Sequence, residues 1–421
     1  MSGRLKRSVA TKKKPKSVHA TGTLGITLAS SVLSLSLFGR YHDGTEIQGL
    51  SSRAYKNRGT EFAAVNGHLS LMKWLQENRS FLGCTTRAMD MAAANGFLAV
   101  VEWLHDNRSE GCTHKAMDGA AENGHLAVVE WLYANRSEGY IATAMGKAVF
   151  NGHLKVMEWL HLNSTEAFDP RDIDMDMPAQ NGQLSVLEWL HANDFDLREG
   201  TEDASNLAAE HGHLSTVKWL HTNDLNALHG TYPMNKAAGN GHLPMVEWLH
   251  ANHPHGCSKL AMDHAAKHGH MHVIKWLHSN RSEGCTLSAS NGAARNGHLQ
   301  VVEWLHLNRT EAHPQHHPMP RRGLRRVIHD EYIDLDMVAE NGHLDVLEWL
   351  HANTPCGCTD DAMDQAAQNG HLSVVEWLHA NYSEGCTTGA MNFAACSGHL
   401  SVVEWLHANR SEGCTRRSIE L

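Results

Sequence analysis

Apolar positions recur along most of this chain with one period and one internal shape. In the stretch from Cys112 to Gly139, CTHKAMDGAAENGHLAVVEWLYANRSEG, two apolar patches flank an Asn-Gly pair and a polar run follows them. Thr113 is a good N-cap, because its hydroxyl can accept from a free backbone N–H of the first turn. The segment Lys115 to Glu122, built on Ala116, Met117, Ala120 and Ala121, predicts a short helix that packs closely. Asn123-Gly124 ends it, glycine supplying the left-handed conformation that a helix C-terminus often needs. A second helix is predicted from about His125 to Ala134.

The equivalent second helix from Leu98 to Asn107 shows how its faces divide. With Leu98 at 0° and about 100° per residue, Trp103 falls near 140°, Val100 near 200°, Leu104 near 240° and Val101 near 300°. Ala99, Glu102 and Asp106 take the remaining arc. The pattern predicts an apolar arc more than about 200° wide, buried against the partner helix and both neighbouring repeats. Removing an interior Trp from such an arc is expected to cost about 3–5 kcal/mol if it is fully buried.

The twelve tryptophans all occupy this one position, from Trp74 to Trp405. They are spaced 28 to 30 residues apart, except for a gap of 45 between Trp304 and Trp349. A fixed period of this size means a stacked array, since two short helices cannot bury such faces alone. The fold class predicted is all-α, an α-solenoid of about twelve helix-turn-helix repeats. A leucine-rich repeat also fits the period, but its LxxLxL strand alternation is missing.

The segment Ala120-Ala121-x-x-Gly124-His125-Leu126-x-Val128-Val129-x-x-Leu132 and its copies resemble the ankyrin repeat family over roughly residues 59 to 415. The family unit is 33 residues, so five are missing here between one second helix and the next first helix. The family's TPLH signature is replaced by variants of Ala116-Met117-Asp118, with Asp or Asn where His is expected. A tight loop such as Asn107 to Gly111 is therefore expected in place of the family's projecting β-hairpin. The resemblance implies a non-enzymatic protein–protein interaction scaffold, with one or more protein partners held on the concave face lined by first helices.

Irregularities divide the chain. Residues 1–50 read as a basic tail, 51–415 as the solenoid, and 416–421 as the start of a further repeat. Residues 1–58 hold eleven Lys/Arg against Asp43 and Glu46, net +9, which leaves −19 on the remainder to reach the total of −10. The run Lys12-Lys13-Lys14-Pro15-Lys16 resembles a nuclear-localisation signal. That pattern is of low specificity, and the leading reading is a solvated, disordered tail; the lack of any acid before Asp43 also allows a mitochondrial presequence. The expected compartment is intracellular, cytoplasmic or nuclear. No membrane association is expected, Leu24 to Phe38 being too short and too hydroxylated to span a bilayer. Nucleic-acid binding by the acidic solenoid is disfavoured.

Loops lengthened by two residues are expected over Ser164–Asp176 and Asp194–Asn206, and Pro178 should shorten or bend its helix. A Pro/His/Arg-rich insertion at about 312–330 reads as an exposed loop, with periodicity resuming at Asp334-Leu335-Asp336. Trp405 and its neighbours lack a following repeat, so the last repeat is expected to fray, self-associate or bind another molecule.

Candidate chemistry is sparse. Of thirty-four histidines, ten follow Trp-Leu and ten follow the turn glycine, a recurrence that points to structural roles. The sharper group is His253, His255 and Cys257 with His264, His268, His270 and His272, although it matches no established ligand spacing. No metal or cofactor is expected. Seven of nine cysteines share one repeat position and read as small buried residues. The sequence carries no phosphate-cradling loop, nucleophile elbow, zinc helix or dinucleotide fingerprint, so no catalytic residue is assigned.

What varies is a pair of positions flanking the paired alanines, spaced i, i+3 on one helix face. The candidate binding residues drawn from these pairs are Met91, Glu122, Lys147, Phe150, His264, Lys267, Arg295, Gln365, Gln368 and Phe393. A second reading is a metal- or pH-responsive structural protein using the histidine ladders, since many imidazoles protonate near pH 6.

Overall fold

The computed structural model describes residues 60–78, 84–138, 141–163, 175–193, 203–223, 230–253, 255–312 and 333–414, with residues 195, 225 and 228. The tail at 1–50, the insertion at 313–332, residues 416–421 and most of both lengthened loops lie outside the described residues. The protein is an all-α solenoid, with no strand among the described residues. Two compact units divide it, residues 1–167 and 168–421.

Each unit is a row of helix pairs. In the first unit, residues 60–65 pair with Leu69–Glu77, Thr86–Ala94 with Leu98–Asn107, His114–Glu122 with Leu126–Asn135, and Ile141–Asn151 with Leu154–Asn163. The second unit opens with Asp176–Gln180 and Leu184–Ala192 and closes with Thr388–Cys396 and Leu400–Asn409. Helix ends fall within a residue of those expected for the copy at Cys112–Gly139. Asp176–Gln180 is short, with Pro178 at its third position. There the missing N–H is one that no preceding turn could have paired. Asp334 caps Leu335–Glu340, as the resumed periodicity requires.

Within each unit, the first helices pack closely on one another, while the second helices stand further apart. Three ladders hold the rows. At four repeats the Asp at the third position of the Ala-Met-Asp triplet is buried and reaches the next repeat's N-cap, whereas Asp118 is half-buried and makes no such link among the described residues. Thr113 N–H donates to Asp90 Oδ1 (2.7 Å) and its hydroxyl to Oδ2 (2.9 Å), while the Thr113 oxygen accepts from Lys115 N–H (3.2 Å). Asp263 and Thr286, Asp336 and Thr359, and Asp364 and Thr387 repeat the arrangement. Asp thus takes the linking role at the position where the family carries His.

A second ladder runs through the turns. Gly124 adopts φ +76°, and a Cβ there would meet the His153 ring at 2.5 Å, so the glycine is needed both for the turn and for the imidazole above it. His153 Nε2 lies 3.0 Å from the Glu122 carbonyl oxygen. The third ladder is the connection replacing a hairpin. Arg108 leaves its helix extended and pairs with Glu110 (2.6 Å), and the Arg136–Glu138, Arg281–Glu283 and Arg410–Glu412 pairs recur in the same loop.

The tryptophans depart from expectation. None of them is buried; Trp74 is 47% exposed and the others are half-buried. On the Leu98–Asn107 helix only Val100, Val101 and Leu104 are buried, so the dry arc spans about 100° and Trp103 sits on its edge. The indoles are covered on one side by the preceding repeat, as where the His105 ring meets Trp131 edge-on at 5.1 Å. Trp131→Ala is therefore expected to cost about 1–3 kcal/mol, below the 3–5 of a fully buried indole. Urea denaturation would measure it, and a loss above that range would mean the indole is more enclosed than its exposure indicates.

Candidate binding face

The first helices carry their paired alanines inward, and Ala92-Ala93, Ala120-Ala121, Ala265-Ala266 and Ala366-Ala367 are all fully buried. Small residues at this seam let the helices approach. A Cβ on Gly119 would meet the Ala94 Cβ at 2.7 Å, and one on Gly292 the Lys267 Cβ at 2.9 Å. The flanking positions stand on either side of that seam. Phe150 is 42% exposed and Phe393 47%; Lys267, Arg295 and Gln368 are exposed, and Met91, Glu122, Lys147, His264 and Gln365 are half-buried.

These positions do not vary independently. The residue after one alanine pair meets the residue before the next: Ala94 against Gly119, Gly239 against His264, Lys267 against Gly292. Glu122 and Lys147 form an ion pair at 3.2 Å, so two candidate residues bind each other. Both are exposed enough that solvent screens the pair. Part of the variation is thus small-against-large and charge-against-charge matching inside the chain.

One cluster on the same face escaped the sequence reading. Lys236 donates to Glu210 Oε1 (2.9 Å), Tyr232 donates to Glu210 Oε2 (2.8 Å), and the ammonium lies 5.3 Å from the Tyr232 ring centre. Burial pushes the Glu210 carboxyl upward, but hydrogen bonds from Lys236 and Tyr232 outweigh it and hold the group below the usual carboxylate value. The register was available, since Glu210 follows Ala208-Ala209 and Lys236 precedes Ala237-Ala238.

The histidine-rich segment resolves into separate roles. His268 Nδ1 lies 2.8 Å from the Gly239 oxygen, His272 Nε2 3.1 Å from that of Gly241, and His253 Nε2 3.3 Å from that of Leu228. Burial, partly offset by Asp263, lowers the pKa of His264. Among the described residues, no three His, Cys, Asp or Glu side chains converge as a metal site would need. The repeated cysteines Cys84, Cys112, Cys257, Cys285 and Cys358 are buried, whereas Cys386 is half-buried and Cys414 exposed. Burial pushes the Cys285 and Cys358 thiols up to about 12 and those of Cys84 and Cys386 to about 11, which leaves them protonated and unreactive at neutral pH. No described helix is long and apolar enough to cross a membrane.

A family model of ankyrin repeats in many copies matches residues 61–105, 117–161, 261–306 and 335–379, and one of ankyrin repeats in three copies matches 175–263. The chain belongs to the ankyrin repeat family. Among curated proteins none matches it. Most of its repeats keep the Gly-His turn and the alanine seam, and five of the described connections carry an Arg-Glu clasped loop. Ankyrin repeats are generally protein–protein interaction modules, and the family is typically non-enzymatic.

Proposed function

We propose that this chain is a non-enzymatic scaffold that binds a protein partner through the first-helix face of its ankyrin repeats. The observation that carries the reading is the exposure of Phe150, Phe393, Lys267 and Arg295 beside a seam of mostly buried small residues. Aromatic and Arg side chains on a rigid frame are the types that dominate protein interfaces. The first helices pack more closely on one another than the second helices do, which supports the same reading.

Glu122 and Lys147 are better left out of a test, because their substitution breaks an internal pair. The expected result is that the full chain captures a stoichiometric protein from lysate and that Phe150→Ala, Lys267→Ala, Arg295→Ala and Phe393→Ala together lose it. Changing Glu102, Lys155 and Glu158 to Ala, exposed on second helices, should leave capture intact. Equal capture by all three chains would refute the first-helix face.

A further inference from the structure

Two adjacent apolar positions on the second helices differ in what covers them. In the first described repeat the earlier position, Leu71, is half-exposed and the later one, Met72, is buried. In the last repeat the order reverses, Val402 being buried and Val403 half-exposed. Between them, as at Val100 and Val101 or Val374 and Val375, both are buried. The earlier position therefore faces the preceding repeat and the later one the following repeat.

Other contacts divide the same way. Ala395 is exposed, although its counterparts Ala93, Ala121 and Ala367 are fully buried. Gly398 meets open space where Gly96, Gly124, Gly342 and Gly370 carry the next repeat's imidazole. Gly413 meets open space where Gly111, Gly256 and Gly385 carry the next repeat's guanidinium. At the other extreme, His68 and Trp74 are exposed, where the corresponding His and Trp of inner repeats are partly covered from below. Trp405 itself keeps its cover, the His379 ring lying edge-on at 5.2 Å, so the uncovered residues of the last repeat are Ala395 and Val403 rather than the indole.

The first described repeat thus offers the His and Trp half of a junction, and the last offers the Gly and His half, His407 standing where His379 covers Trp405. We infer that these two faces bind each other between copies of this chain, the last repeat of one molecule stacking under the first repeat of the next. The occupant is a second copy because each face has the shape and chemistry of the chain's own internal junctions. Such a head-to-tail contact joins unlike faces and leaves one face of each kind free on a pair, so assembly is expected to continue with concentration.

Sedimentation of the full chain over a dilution series tests this with two variants, Trp74→Arg and Ala395→Arg. Both residues are exposed, so unchanged melting should confirm intact folding. The parent's mass is expected to rise from one chain to beyond two. Each variant alone should stay at one chain, and an equimolar mixture should form a complex of two chains and no larger, since one unblocked pair of faces remains. A parent that stays monomeric throughout, or a variant that dimerises alone, overturns the inference.

Discussion

Asp90→Ala is expected to lower the unfolding free energy by about 3–5 kcal/mol, because two hydrogen bonds to a buried carboxylate are lost and the Thr113 N–H is left without an acceptor. The carboxylate is 6% exposed, so water cannot readily take over. The loss also reaches the next helix, whose N-cap is the same Thr113. Asp90→Asn should cost much less, about 1 kcal/mol or below for one neutral hydrogen bond replacing a charged one. The chain already contains that exchange: Ser258 N–H donates to Asn235 Oδ1 and the Asn235 amide to the Ser258 hydroxyl, both at 2.9 Å. Denaturant titrations of the two variants decide the matter. If alanine and asparagine prove equally mild, the Asp–Thr ladder does not hold the repeats together.

Much of this fold was legible because the repeat restates its own grammar. The tryptophan period, the Thr113 cap, the Asn-Gly stop and the short helix at Pro178 all follow from local chemistry that one copy displays. What escaped the sequence reading lies between copies. Asp90 and Thr113 are 23 residues apart, as are Asp263 and Thr286, and that recurring spacing was the available signal for the buried ladder. The width of the buried arc was overestimated because an apolar residue on a helix edge, Trp103, counts the same as one at its centre in an angular plot. Likewise, Glu122 and Lys147 looked like free surface variation until their pairing was visible.

Acidification from about pH 7.5 to about pH 5.5 is expected to lower the melting temperature, through imidazoles that titrate in this range. Burial, reinforced by neighbouring imidazoles, lowers the pKa of His125, His242 and His270 below the ordinary 6.5. Burial does the same for His298 and His371, and a bond to a backbone carbonyl partly opposes it at these two as at His125 and His242. The unfolded chain therefore binds more protons than the folded one as pH falls below 6.5. This contribution to stability is present in full above that value and is lost toward the lowered folded values. Asp118 and Asp263, whose carboxyls burial raises, act in the opposite sense, but they are two groups against six, His264 being lowered as well. Glu110 and Glu283, held low by their Arg partners, add to the loss only below the ordinary carboxyl value of 4.5. The turn tolerates a neutral replacement, since Gln183 already occupies the position in one repeat. Changing His125, His242, His270, His298 and His371 to Gln should flatten the pH dependence while leaving the melt at pH 7.5 close to that of the parent. Equal melting of the parent at both pH values would remove the imidazole ladder as a source of pH response. A variant that loses as much stability on acidification as the parent would place the effect elsewhere in the molecule.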